Sequence, residues 1–352
     1  MKNKIKKKIE SLKKEKIFLT HSYFKYPLPE EMLKDLAQEL KDINLYPSGG
    51  EYTELRQFLA EYVGVKIENI FPANGSDEVI EVVTRAHKGE VLIPIPTFYQ
   101  YEASADIEDL PKVLVNCLQD GEYTINYSTQ QLKSASLIWI CNPNNPTGTR
   151  IPRKKIIDIL QRAVGMVVVD ECNYEYLGET VVDLIDEYEN LIISRSFSKN
   201  FGIAGLRLGF AVSNPQNIRR LASFGQYFRV NRIAEKAAEK VLRHLDYYQE
   251  VWEKIKKARD KFAQQINKLG FFAYDSKANF VLIEFQNKKE TERVWKYLQE
   301  KGIYTLPGWE KEFSGLGDQF IRFTIGQEWE MNKVIKVLTE YQFSKKLNKL
   351  EN

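Results

Sequence analysis

Cysteine and histidine are scarce, at three residues each in a chain of 352. Cys117, Cys141 and Cys172 show no paired spacing, which argues against a disulfide framework and makes a reduced, cytoplasmic protein the expectation. His21, His87 and His244 lie far apart in sequence and offer no ligand set for a metal centre. Long apolar runs are missing as well. Leu137–Cys141 and Met166–Val169 are among the longest, strand-sized and far short of the roughly 20 residues that a membrane span needs. No apolar stretch follows the basic N-terminal residues, so no secretory leader is expected. Nor is there an excess of one charge. Lys and Arg number 51 against 48 Asp and Glu, a net +3, which gives no electrostatic reason to invoke nucleic acid or an anionic membrane. Internal repeats and low-complexity linkers are absent too, so any lobes should be closely packed.

What is present is a balance of 43% hydrophobic and 28% charged residues, enough for a substantial core. The length suits two packed lobes or one large α/β domain. The lysine-rich first sixteen residues carry Ile5, Ile9 and Leu12 at helical spacing. They read as a short amphipathic helix or a solvated arm rather than a membrane or nucleic-acid element. From about residue 54 to 212, helical stretches (Glu54–Val63, Asp77–His87) are followed by short apolar runs. These are Val91–Ile95, Val113–Val115, Leu137–Cys141, Met166–Asp170, Leu191–Ser194 and Leu208–Val212. Apolar throughout rather than alternating, several of them predict strands covered on both faces of a mostly parallel sheet. A long charged helical pattern then covers about Asn231–Leu269. Strand-like runs at Phe280–Phe285 and Phe320–Ile325 flank a helix near Glu290–Lys301, and a closing helix covers about Glu328–Tyr341. That second pattern predicts a smaller α+β lobe.

Ligands of open α/β sheets bind beyond the carboxyl ends of the strands, and polar clusters stand at those positions. Asn74-Gly75-Ser76-Asp77-Glu78 precedes an apolar helix. Gly75 allows a tight turn, Ser76 or Asp77 can cap, and free N–H groups there suit an anion. By itself the cluster reads as an ordinary helix start. The strand Leu137–Cys141 runs into Asn142-Pro143-Asn144-Asn145-Pro146-Thr147-Gly148, a punctuated turn with amide side chains. Met166–Val169 ends in Asp170-Glu171, carboxylates that are costly to bury without a cationic partner. Leu191–Ser194 runs into Arg195-Ser196-Phe197-Ser198-Lys199, with Gly202, Gly205 and Arg207 beyond. Hydroxyls, a lysine and an arginine there suit a phosphorylated ligand.

Ser196-x-Ser198-Lys199, Ala204-Gly205-Leu206-Arg207-Leu208-Gly209 and Asn145-Pro146-Thr147-Gly148 together resemble fold-type I aminotransferases. Tyr46-Pro47, Gly75-Ser76-Asp77-Glu78, Pro96-Thr97-Phe98 and Ala278-Asn279-Phe280-Val281 narrow the resemblance to the histidinol-phosphate aminotransferase group, over roughly residues 40–340. The resemblance implies an enzyme of amino-acid biosynthesis that uses pyridoxal 5′-phosphate. It implies an N-terminal arm (1–44) contributing to the small domain and the substrate entrance, a large cofactor domain (45–240) and a small C-terminal domain (241–352). It also implies roles. Lys199 holds the cofactor covalently and later shuttles a proton, a task that suits a lysine whose pKa is lowered by its surroundings. Asp170 pairs with the ring nitrogen, Phe98 stacks on the ring, and Asn145 bonds the 3′ oxygen. Gly75, Ser76, Asp77, Ser196, Ser198 and Arg207 cradle the phosphate. Tyr46 reaches it from a second subunit, which implies a homodimer, and Arg322 clamps the carboxylate of a small-molecule substrate beside Asn145 and Tyr23.

The pattern breaks in two regions. Where the family carries a tyrosine supporting the 3′ oxygen, this chain has Asn173, with Tyr174 one position late; a one-residue slip redirects a side chain. Asn173 either substitutes as a hydrogen-bond donor or marks altered chemistry, and Cys172 beside it reads as a packing residue. Leu306 stands where the family has an arginine before Pro307, and the N-terminal substrate loop reads His21-Ser22-Tyr23-Phe24-Lys25-Tyr26-Pro27. Lys25 is the candidate for a replacement charge. The expectation is therefore an aminotransferase for a free polar amino acid. The alternatives are elimination, replacement or cyclisation (for example on a hydroxylated arginine-like amino acid), decarboxylation, and histidinol-phosphate amino transfer itself.

Overall fold

A computed structural model describes residues 16–47 and 50–350, with side chains described as far as residue 345. The amphipathic pattern at Ile5, Ile9 and Leu12 lies outside the described residues. A seven-stranded sheet forms the centre, in the order Ile70–Ala73, Gly209–Ser213, Leu191–Ser196, Met166–Asp170, Leu137–Cys141, Val91–Ile95, Lys112–Asn116. Only Gly209–Ser213 runs antiparallel to its neighbours; the remaining pairs are parallel. The mostly parallel α/β sheet is thus present. Its strands are apolar throughout because both faces are covered. Ile138, Ile140, Val167, Val169 and Ile193 enter one core, while Leu137, Trp139, Val168 and Ile192 enter the other. Each such fully buried side chain contributes roughly 1.5–3 kcal/mol relative to exposure.

Ile70–Ala73 is a strand that apolar-run reading passed over. Pro72 breaks its pattern, and the strand lies at the sheet edge, where a missing N–H is tolerated. A second sheet has five strands, in the order Ile17–Leu19, Ile303–Pro307, Phe320–Thr324, Phe280–Glu284, Phe272–Ala273. The N-terminal strand Ile17–Leu19 joins it parallel to Ile303–Pro307, so residues nearly 300 apart in sequence line one edge. The long helical pattern over 231–269 is two helices, Arg232–Arg243 and Leu245–Lys268, broken at His244 (φ −104°, ψ 26°). The closing helix extends to Leu350. Register aligns Cys141, Asp170 and Ser194 across three neighbouring strands, so the loops leaving those strands open onto one place.

Candidate active site

Asp170 ends its strand with a carboxylate only 4% exposed. Tyr101 Oη donates to its Oδ2 (2.6 Å) and the Cys172 N–H to its Oδ1 (3.0 Å). Among the described residues no lysine or arginine pairs with it. Burial pushes its pKa up despite both hydrogen bonds. Glu171, its neighbour, points the other way, and there Arg195 and Thr180 satisfy it (Arg195 Nη2–Oε2 2.8 Å). Strand alternation therefore sends Arg195 to the Glu171 side and leaves Ser196 on the Asp170 side. Of the two carboxylates, only Asp170 still lacks a cation.

The helix Gly75–Ala86 begins beside the antiparallel strand. Gly75 has φ +78°, and a Cβ there would lie 2.5 Å from Arg207 Nη2; a Cβ on Gly209 would meet the Gly75–Ser76 peptide at 2.5 Å. Gly209 is needed for this approach of backbone to backbone, and Gly75 for its positive φ. Neither Ser76 nor Asp77 caps the helix, contrary to the reading of the local sequence. Asn74 is the N-cap residue and makes no side-chain cap bond, so N–H groups of the first turn remain free for an anion. Asp77 instead accepts from Arg207 Nη2 (2.8 Å), whose Nη1 reaches Ser198 Oγ (3.3 Å), while Ser196 Oγ accepts from the Ser198 N–H (3.1 Å). Gly75, Ser76, Asp77, Ser196, Ser198 and Arg207 thus meet at one helix start with the donor chemistry that a phosphate needs.

Lys199 follows on a loop held from behind. Tyr176 Oη donates to the Lys199 carbonyl (3.0 Å), and Trp252 Nε1 donates to that of Asn200 (2.7 Å). Phe201 packs against Tyr62, Phe197, Tyr248 and Trp252. Burial holds the Lys199 amine below the usual lysine range, and the positive charges of Arg322 and Arg207 add to the effect. Such a lysine is a stronger nucleophile at neutral pH.

Phe98, in the two-residue strand Thr97–Phe98, pairs with Phe313 across an antiparallel bridge. Its ring meets Tyr101 edge-on at 5.9 Å, and Tyr101 stacks on Trp139 at 4.5 Å. Arg322 projects from the small sheet between Phe280 and Phe313 (4.9 and 5.0 Å to the rings), donating to Asn145 Oδ1 (2.6 Å) and to the Thr20 carbonyl (2.9 Å). Its Nε has no partner among the described residues, and burial brings its pKa down to about 10.

The departures resolve geometrically. Asn173 is buried, with Oδ1 unpartnered among the described residues. Tyr174 lies under the Arg195 guanidinium at 3.9 Å, on the Glu171 side, so the slip does redirect the phenol. Leu306 is buried directly across the strand pair from Arg322. Lys25 is not a replacement charge, since Nζ pairs with Glu330 (2.9 Å) and donates to the Phe18 carbonyl (3.1 Å). Tyr23 is partly exposed, its hydroxyl 3.2 Å from His21 Nδ1. Tyr46 is not joined to the cluster within this chain; it is 74% exposed and stacks on Phe228 (4.6 Å). Reading the sequence overlooked Tyr101, whose one signal is an aromatic three residues after Phe98 at a helix start. It also overlooked Thr20, which contributes only a backbone carbonyl and leaves no side-chain signal.

Four likenesses place the chain among known proteins. A family model described as aminotransferase class I and II matches residues 14–338. The histidinol-phosphate aminotransferase of Thermoanaerobacter pseudethanolicus is 37% identical over 286 residues, covering 79% of this chain and 80% of that protein. Among solved structures, the histidinol-phosphate aminotransferase of Clostridium acetobutylicum superposes with a TM-score of 0.84 at 26% identity, over 93% of this chain and 99% of that one. The L-threonine-O-3-phosphate decarboxylase of Porphyromonas gingivalis does so at 0.80 and 26%, over 92% and 99%.

Proposed function

The chain belongs to the class I and II aminotransferases, which are pyridoxal-phosphate enzymes, and on that premise we propose that it transfers the amino group of a free polar amino acid rather than of a phosphate ester. The observation that carries this reading is Arg322 with buried Leu306 directly across from it. One guanidinium matches one carboxylate, and the neighbouring position supplies no second cation for a phosphate dianion.

The residues fit the cofactor. Asp170 is a buried carboxylate without a cation among the described residues, which a protonated ring nitrogen would supply. The free helix start, the serines and Arg207 suit its phosphate, and Phe98 offers a ring face. Asn145 and the unpartnered Asn173 Oδ1 are the amide groups for the 3′ oxygen side. When bound, the cofactor supplies an electron sink for the bond that breaks. Lys199 would hold it covalently and, once freed by the substrate amine, move the proton at Cα. Arg322, with Asn145 and Tyr23 nearby, would orient the substrate.

We further propose a homodimer in which Tyr46 reaches the partner's phosphate cluster. Tyr46, Tyr227 and Phe228 form an exposed aromatic patch, at 74%, 66% and 43% exposure, of the kind that marks an interface. The division into arm (1–44), large domain (45–240) and small domain (241–352) fits the two sheets. A cytoplasmic location suits three buried, unpaired cysteines.

Decarboxylation is the second reading, favoured by the likeness to the Porphyromonas enzyme. Protein loaded with pyridoxal phosphate is incubated with an amino-acid mixture, with and without a keto acid, and products are read by mass spectrometry. Amino transfer that needs the keto acid supports the proposal. Loss of carbon dioxide without an acceptor supports the second reading, and efficient transfer from histidinol phosphate overturns the substrate assignment. Borohydride reduction followed by peptide mapping should place the cofactor on Lys199, and an adduct on any other lysine refutes its role.

A further inference from the structure

The bridge that pairs Phe98 with Phe313 also brings Glu312 to the substrate side of the site. The Tyr99 N–H donates to the Glu312 carbonyl (3.3 Å), and Phe313, the next residue, packs on Arg322. The Glu312 carboxylate points at the altered N-terminal stretch, with Oε1 3.9 Å from His21 Nε2. That is too long for a hydrogen bond. Thr20 and Tyr23 hydroxyls both lie against His21 Nδ1 (3.0 and 3.2 Å). The Thr20 carbonyl meanwhile accepts from Arg322, so two adjacent residues, Thr20 and His21, lie between the carboxylate clamp and the acid.

Glu312 is one-third exposed at its side chain, and among the described residues no lysine or arginine pairs with it. Arg322 feels its charge without a direct ion pair to it, so a substrate cation has no salt bridge to a lysine or arginine to displace there. Lys25 is held by Glu330, and Leu306 is apolar. An anionic side chain entering beside Arg322 would meet a carboxylate; a cationic one would gain an ion pair as water leaves.

We propose that Glu312 determines specificity, selecting amino acids with a cationic side chain (an amine, guanidinium or imidazolium) while Arg322 takes the α-carboxylate. The inference rests on the aminotransferase reading above and names its substrate class.

The test uses the pyridoxal-phosphate holoenzyme at pH 8 with lysine, ornithine, norleucine and glutamate. Binding is followed by the change in cofactor absorbance, and turnover by amino transfer to a keto acid. Lysine and ornithine should exceed norleucine in kcat/KM by about tenfold, with glutamate poorest. Glu312→Gln should collapse the lysine-to-norleucine ratio, chiefly through KM for lysine, and Glu312→Asp should keep part of it. Amino transfer without charge preference, or with one that Glu312→Gln leaves intact, overturns the role of Glu312 and leaves the transferase reading standing. Charge-selective absorbance changes with no amino product have the opposite meaning: Glu312 keeps its role and the transferase reading falls.

Discussion

Asp170 and Lys199 illustrate how single side chains acquire chemistry from their neighbours. Burial raises the Asp170 pKa while the Tyr101 hydroxyl and the Cys172 N–H counter it. Removing that hydroxyl should weaken the carboxylate's hold on a ring cation. Tyr101→Phe is expected to lose about tenfold in kcat, the size of one buried hydrogen bond to a charged group, and to release cofactor faster on dialysis. Asp170→Asn should lose about a hundredfold or more. Unchanged turnover and retention in Tyr101→Phe would show that the 2.6 Å contact is structural only. For Lys199 the sign is equally definite. Burial, then Arg322, lowers its pKa, so the neutral amine prevails from a lower pH than for an ordinary lysine. Arg322→Gln removes a positive charge and should move the pH midpoint of cofactor capture by apo-protein upward, as read from absorbance. A midpoint that stays in place or falls would mean that Arg322 does not act on the lysine.

At the scale of elements, the short helix Tyr174–Leu177 supports the lysine loop and carries a titratable burden. Glu175 accepts from Tyr62 Oη (2.9 Å) and from Asn200 Nδ2, and burial pushes its pKa up to about 7, against Arg195. The folded state then binds more protons than the unfolded state between about pH 4.5 and 7, so stability falls as pH rises through that window. Glu175→Gln should therefore unfold in urea with a shallower decline between pH 5 and pH 8 than the wild type. An identical pH dependence would remove Glu175 as the source. Elements also show how far sequence patterns reach. Val91–Ile95, Leu137–Cys141 and Met166–Asp170 are legible because double-sided burial makes nearly every residue apolar. Ile17–Leu19 is not legible, since three residues hold no periodicity and the strand exists only by pairing with Ile303–Pro307.

For the molecule as a whole, Tyr46 lies apart from its chain's own Gly75–Arg207 cluster, the proposed phosphate site, stacked on Phe228 in an exposed patch. Shared sites predict complementation. Tyr46→Phe protein mixed with Lys199→Ala protein and allowed to exchange subunits should form hybrids with one intact site, raising activity above the mean of the two parents. Activity equal to that mean after exchange would show that each site is self-contained.

The sequence alone determined the α/β class, six of the seven strands of the central sheet and the candidate cofactor residues, because each of these is local: an apolar run, a glycine turn, a serine–lysine pair at a strand end. Only the tertiary structure decided which neighbours complete them. Strand alternation sent Arg195 to Glu171, on the opposite face from Ser196. Packing set Tyr101 under Asp170, and the pairing of Phe98 with Phe313 delivered Glu312 to the substrate side. Leu306 came to lie opposite Arg322 only because the two strands align in one register. Contacts between residues tens to hundreds of positions apart leave no periodicity in a single sequence; they arise from the packing of the whole chain.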